Sequence, residues 1–206
     1  MLMNKLFTPF RKTETKPIVI VSGLPRSGTS MMMKMLAEGG LPILTDEVRG
    51  ADDDNPNGYF ELETVRKLKE GNFEWLKEAD GKVVKVISAL LENLPQQYSY
   101  KIIFMERALK EVLASQKKML DHRGTISKVS DEEMEQQLHK HLSAIRPWLV
   151  RQPNIDVLYV NYNALISKPE LLCERIEEFL ESPLDQKKML SVPTEKLYRN
   201  RAVVEK

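Results

Sequence analysis

The sequence predicts an α/β fold of three layers, a mostly parallel central sheet flanked by helices. Three observations lead there. Four short runs rich in β-branched residues, 17–23, 82–88, 101–107 and 155–162, are apolar almost without interruption. That is the pattern of strands covered on both faces rather than on one. Stretches with helical apolar spacing separate these runs, and strands joined by helical crossovers build a parallel sheet. The first run also passes through a tight turn of small residues directly into a helix.

Taken in order, residues 17–23 (PIVIVSG) form the first strand, and 28–38 a helix that stops at Gly39-Gly40, since glycine takes up the backbone conformation that closes a helix. The acidic stretch 46–58 (DEVRGADDDNPNG) reads as the one long loop; connections of that length in compact domains are usually functional or mobile. Leu62, Val65, Leu68 and Leu76 keep helical spacing, with Phe73 and Trp75 beside them, so 62–76 reads as a helix. The second and third strands are 82–88 (KVVKVIS) and 101–107 (KIIFMER). Helices over 108–120 and 131–151 follow, the second opened by the capping-box pair Ser130 and Glu133. The fourth strand, 155–162, leads to an amphipathic helix over 169–182, with Pro169 as its natural first residue.

The chain has 206 residues, enough for one domain with a substantial core, and without repeats or linkers it reads as a single domain over 1–206. Hydrophobic residues at 42% and charged residues at 30% are those of an ordinary soluble globular protein. A net charge of +1 argues against a nucleic-acid-binding surface. The single cysteine, Cys173, excludes an intrachain disulfide; within the helical pattern LLCERIEEFL it reads as a buried, inert thiol. The first 17 residues are broken by Lys5, Pro9 and Arg11 and lack the continuous apolar core of a signal peptide or a membrane span. Residues 1–16 therefore read as a flexible segment, and the cytoplasm is the expected location. No feature specifies an oligomeric state.

The chemistry concentrates in SGLPRSGTS. Gly23 and Gly28 are five apart, as in G-x-x-x-x-G-K-[ST], but Thr29 stands where the lysine belongs and the cation is Arg26. Such a turn lets backbone N–H groups converge on an anion, and the following helix adds its positive N-terminus. Ser27, Thr29 and Ser30 add hydroxyl donors. In a parallel sheet a ligand sits beyond the carboxyl ends of the strands, so the fold is expected to be of the P-loop type. Sites that hydrolyse or transfer phosphate usually hold Mg²⁺ through the loop Ser/Thr and an Asp at another strand end. Here the strand ends read VISAL, FMERA and YVNYN, and Glu106 is the only acid among them. No metal is expected. A small-molecule or nucleotide kinase with an atypical loop stays as an alternative, and so does a non-catalytic nucleotide-binding protein of the same fold.

With those residues in view, the chain resembles the sulfotransferases that use 3′-phosphoadenosine 5′-phosphosulfate (PAPS). GLPRSGTS is similar to their 5′-phosphosulfate loop, P-K/R-S-G-T-[ST]. The resemblance implies that Pro25, Arg26, Ser27, Gly28, Thr29 and Ser30 hold the phosphosulfate, with Arg26 reaching the bridging oxygen and the sulfuryl group. In IIFMERALKEVLASQ, Arg107 ends a strand and Ser115 lies eight residues on. This is similar to the family's arginine–serine pair that grips the 3′-phosphate, and a guanidinium fork suits that bidentate contact. VLYVNYNALISKPELLCERIEEFL resembles the family's strand, Y-x-x-L, D/K-P and helix; it puts Tyr162 where a tyrosine lies near the adenine, the alternative being a core or interface aromatic. VVKVIS resembles the strand that reads K-T-H-L in cytosolic members. Lys85 matches its lysine, while Ile87 stands at the catalytic histidine. DNPNGYFE resembles a bacterial family loop and ends in Glu61. The family's R-K-G-x-x-G segment is replaced by LYRNRAVVEK, so the resemblance spans roughly 17–182.

The catalytic set implied is Arg26, Lys85 and Glu61. A base near the acceptor hydroxyl adds roughly 10²–10⁴-fold. Glu61 is preferred because Tyr59 and Phe60 before it would wall an acceptor and raise its pKa; the competing reading makes it the first-turn acid of the next helix. Asp46, Asp52, Asp53 and Asp54 compete for the role. His122, His139 and His141 follow no strand and read as solvated or capping histidines. The acceptor is expected to be a hydroxyl or amine of a small molecule, carbohydrate or peptide, without nucleic acid or membrane partners.

Overall fold

The computed structural model describes residues 16–193 except 47, 49, 53, 54, 56, 57, 126 and 128. Residues 1–15 of the expected flexible segment, the LYRNRAVVEK stretch, Asp53 and Asp54 therefore lie outside the described residues.

Five parallel strands make the sheet: β1 (Ile18–Gly23), β2 (Ile43–Leu44), β3 (Val83–Lys85), β4 (Tyr100–Glu106) and β5 (Ile155–Asn161). Their order is β2-β3-β1-β4-β5. The helices are α1 (Thr29–Glu38), α2 (Glu63–Arg66), α3 (Leu109–His122), α4 (Asp131–Val150), α5 (Tyr162–Ser167), α6 (Pro169–Leu180) and α7 (Gln186–Leu190). The expected α/β fold, with helical layers over both faces of a parallel sheet, is the one observed.

Two cores show why the strands read as unbroken apolar runs. On one face Ile18, Ile20, Val84, Val86, Tyr100, Ile102 and Phe104 pack with Ile145 and Leu149 of α4 and with Val65, Leu68 and Trp75. On the other, Val21, Val83, Ile103, Met105 and Val160 pack with the methionines of α1, Tyr162 and Leu165 of α5, and Cys173 and Ile176 of α6. Successive strand residues point to opposite faces, so covering both faces demands apolar residues at both parities.

The chain leaves β1 towards β2 and β3 on one side and returns to β4 and β5 on the other. This puts the topological switch point, where such sheets bind ligands, beside β1. The register brings Gly23 opposite Met105 and Val21 opposite Lys85, so the ends of β1, β3 and β4 open onto one crevice.

α1 ends as expected. Gly40 has φ 97°, and the Leu41 N–H reaches back to the Leu36 carbonyl at 3.0 Å, closing the helix in a left-handed cap. The capping box at Ser130 and Glu133 is complete on both sides. Two expectations are corrected. The 62–76 stretch is not one helix: it is α2 followed by two short 3₁₀ turns, Lys67–Glu70 and Glu74–Lys77. Gly71, at φ 78°, turns the chain out of helical geometry between them, yet Val65, Leu68, Trp75 and Leu76 still reach the core. The second expected strand is shorter, since after Lys85 the chain bends into a 3₁₀ turn, Ser88–Asn93. β2, α5 and α7 are elements that the sequence reading lacked. No helix among the described residues is long and apolar enough to cross a membrane.

Candidate functional site

The turn 24–28 is shaped by close approaches on both sides. A Cβ on Gly23, whose φ is 144°, would lie 2.6 Å from the Met105 carbonyl oxygen and from Ser27 Oγ. A Cβ on Gly28, at φ 100°, would lie 2.4 Å from Cδ2 of Tyr162. Both positions thus require glycine by space as well as by backbone angle. Gly28 is also the N-cap of α1, with no side-chain hydrogen bond there, so the helix's first N–H groups face the turn without an intrahelical carbonyl. Beneath them Ser27 Oγ is buried and has no hydrogen-bond partner among the described residues. The Ser27 N–H closes the turn on the Leu24 carbonyl at 3.2 Å. Pro25 is exposed and Thr29 buried.

Arg26 holds an unusual backbone for a residue with a Cβ, φ 69°. Its Nε donates to Ser115 Oγ at 3.0 Å, and its carbonyl accepts from Arg107 Nη1 at 3.3 Å. Arg26, Arg107 and Ser115, 81 and 89 positions apart in their two pairings, thus form one network beside the turn. The Arg107 guanidinium lies 4.3 Å from the centre of the Tyr162 ring, a stacking that stabilises a planar cation. Its Nε donates to Glu111 at 2.9 Å. Asn163 Nδ2 donates to the other oxygen of the same carboxylate at 3.2 Å.

On the opposite side of the turn, Lys85 Nζ donates to Ser30 Oγ at 3.2 Å and to the Tyr59 carbonyl at 2.8 Å. Asn55 Nδ2 joins the same hydroxyl at 2.8 Å. Lys85 and Ser30 are therefore brought together, with Asn55 and the Tyr59 backbone joined to them. Tyr59 is buried, its hydroxyl on the Asp52 carboxylate at 2.8 Å and accepting from Arg123 at 3.3 Å. Phe60 has φ 50° and sits half-buried beside it. Glu61 lies before α2, its backbone carbonyl receiving Thr45 Oγ1 at 2.8 Å and its carboxylate paired with Arg66 at 2.9 Å. Asp46 accepts from the N–H of Glu63, the first residue of α2, at 2.6 Å. Ile87 is 38% exposed just past β3.

His122 ends α3 and is exposed, as is His139. His141 departs from expectation: it is half-buried, with Nε2 2.9 Å from the Oγ of buried Ser88, and burial lowers its pKa. Glu106, the one strand-end acid, is held by Arg146 at 2.7 Å. Glu111, Asn163 and Asn55 were missed. Glu111 lies four residues after Arg107 on the same βα unit, a spacing that signals such a pair; Asn55 and Asn163 carry no such local signal.

A model of the sulfotransferase domain family matches residues 16–199. Solved structures with the same fold include a mouse sulfotransferase, SULT7A1, complexed with PAP. It is 17% identical, with a TM-score of 0.59, and the match covers 93% of this chain and 68% of that one. The sulfotransferase domain of the Synechococcus PCC 7002 olefin synthase is 13% identical, with a TM-score of 0.51 over 86% of this chain and 78% of that one. A sulfotransferase from Alicyclobacillus acidocaldarius is 13% identical, with a TM-score of 0.51 over 83% and 85%. At these identities the likeness is one of fold. No curated protein matches the chain.

Proposed function

The chain belongs to the sulfotransferase domain family, and from that premise we propose that it transfers the sulfuryl group of PAPS to a hydroxyl, or an amine, of an acceptor without a metal. One observation carries the reading: Arg26, Ser115 and Arg107 form a single network at the N-terminus of α1, beside a buried Ser27 hydroxyl that has no hydrogen-bond partner among the described residues. Those donors fit an anion carried on two arms. Residues 25–30 would hold the 5′-phosphosulfate, and Arg107 with Ser115 the 3′-phosphate. Tyr162 backs Arg107, in reach of the adenosine end. Bound there, PAPS supplies the sulfuryl group and leaves as adenosine 3′,5′-bisphosphate.

The protein's part is positioning and charge. Transfer of this kind gains most from in-line alignment and from cations at the leaving oxygen. Arg26 and Lys85 stand on either side of the turn to supply that charge. Glu61 takes the acceptor proton, for which it must exchange its pairing with Arg66.

Calorimetric titration with adenosine 3′,5′-bisphosphate, against ADP and ATP-Mg, tests the donor. Preference for the bisphosphate, with transfer from labelled PAPS abolished in a folded Arg26→Ala variant, is the expected result. Tight ATP-Mg binding without bisphosphate affinity would instead indicate a kinase. Bisphosphate binding with no transfer to any acceptor would leave a non-catalytic nucleotide-binding protein.

A further inference from the structure

Glu111 stands out as a carboxylate only 2% exposed, one turn into α3, with both oxygens engaged. Arg107 Nε donates to Oε2 at 2.9 Å and Asn163 Nδ2 to Oε1 at 3.2 Å. Its partner Arg107 is itself 6% exposed at the side chain. A buried cation is tolerated only when paired and hydrogen-bonded, and Glu111 does that before any ligand arrives. The guanidinium is then constrained twice. Tyr162 fixes its face at 4.3 Å, and Glu111 fixes its Nε edge, while Nη1 is directed to the turn at the Arg26 carbonyl. Face and edge together leave one orientation for a planar group on a flexible stem. Asn163 follows Tyr162 directly at the start of α5, so the end of β5 holds both the ring and the carboxylate in place.

We propose that Glu111, anchored by Asn163, is a positioning residue that sets the Arg107 guanidinium for the 3′-phosphate of the donor. This rests on the PAPS reading above. A carboxylate so near a binding cation acts in two opposing ways. Its charge weakens the pull of Arg107 on an anion, whereas its hydrogen bond holds the fork in the geometry that bidentate phosphate contact needs. The two effects predict opposite outcomes when the carboxylate is removed: a purely electrostatic neighbour would let the anion bind more tightly, and a positioning residue would let it bind more weakly.

The test compares adenosine 3′,5′-bisphosphate with ADP, which lacks the 3′-phosphate, by calorimetry on the full chain. Glu111→Ala is expected to weaken the bisphosphate about tenfold, the worth of a charged hydrogen bond, and to leave ADP unchanged. Glu111→Gln keeps an oxygen for Nε, and the Asn163 amide, whose Oδ1 has no hydrogen-bond partner among the described residues, can turn to meet it; this variant should retain most of the affinity. In an Arg107→Ala background, Glu111→Ala should have no further effect. Where Glu111→Ala does not fold, Asn163→Ala decides, with an expected loss of about threefold for the bisphosphate alone. An unchanged or stronger preference for the bisphosphate in the folded variant overturns the proposal, as does an equal loss without Arg107. A wild-type chain that does not distinguish the two nucleotides overturns the donor assignment itself, and the role of Glu111 with it.

Discussion

Replacing Gly28 by alanine separates two costs that the structure distinguishes by geometry. The residue sits at φ 100°, where an added Cβ would lie 2.4 Å from Cδ2 and 2.9 Å from Cε2 of Tyr162. The left-handed backbone alone costs about 1–2 kcal/mol for a residue with a Cβ. The contact adds about 1–3 kcal/mol of overpacking, because the ring is 4% exposed and has Arg107 on it at 4.3 Å. The sum is about 2–5 kcal/mol, or about 4–20 °C in Tm for a chain of this size. Gly40 is the internal control. Its φ is 97°, but nothing lies within 4 Å of the Cβ position, so Gly40→Ala should cost only the backbone share, about 1–2 kcal/mol. Urea unfolding of both variants measures the difference. Because the displaced ring carries Arg107 with it, Gly28→Ala should also weaken adenosine 3′,5′-bisphosphate, and Gly40→Ala should not. If Gly28→Ala is no more destabilising than Gly40→Ala, the packing of the turn on Tyr162 is wrong.

Three further expectations follow from single residues. Glu61→Gln should reduce turnover by roughly 10²-fold or more with nucleotide affinity nearly unchanged; steady-state rates equal to wild type would move the base elsewhere. Burial holds the His141 pKa below its usual value, against a smaller opposing pull from Glu92. The unfolded chain therefore binds the proton more readily, and stability falls as pH drops through about 6.5 towards the lower folded value. Urea unfolding at about pH 7.5 and about pH 5.5 should show that loss, and His141→Gln should shrink it; an identical pH profile would contradict the buried neutral ring. Cys173, pushed up to about 11 mainly by burial and also by the nearby Glu170, should ignore a thiol reagent in the native protein and react once denaturant is added. Rapid native labelling would show that the α6 face is not packed as described.

What was legible in the sequence is what is local in the chain. The turn, its two glycines and α1 occupy consecutive residues, so their spacing could be read directly; Arg107 and Ser115 share one βα unit, and the family resemblance of that short stretch pointed to them. The fold followed from runs whose apolar residues must cover two faces. Where the reading failed, tertiary contacts had overruled local pattern. The 62–76 stretch has helical spacing, but short turns around Gly71 bury the same side chains. Ile43–Leu44 is too short to announce a strand, and only its pairing with β3 makes it one. The Lys85–Ser30 and Ser88–His141 contacts join residues 55 and 53 positions apart; no periodicity encodes them. Glu111 was visible as an acid at the right spacing, but its burial was not, and burial is what separates a solvated helix acid from a clamp.

The backbone of Arg26 bears on why the cation of this turn stands before the second glycine. A non-glycine residue at φ 69° carries about 1–2 kcal/mol of strain, which glycine would relieve. Glycine would also remove the guanidinium, so the strain is retained for the side chain. From position 26 the side chain leaves the outer rim of the turn and meets Ser115 of α3 at 3.0 Å. The same residue's carbonyl, turned by the left-handed backbone, accepts from Arg107 at 3.3 Å. One strained residue thus ties the turn to the βα unit that carries Arg107 and Ser115. Under the proposed chemistry, that tie links the arm holding the 5′-phosphosulfate to the arm holding the 3′-phosphate. Removing the left-handed angle without removing the cation should uncouple them, since the carbonyl would swing away from Arg107 while the guanidinium stayed on its flexible stem.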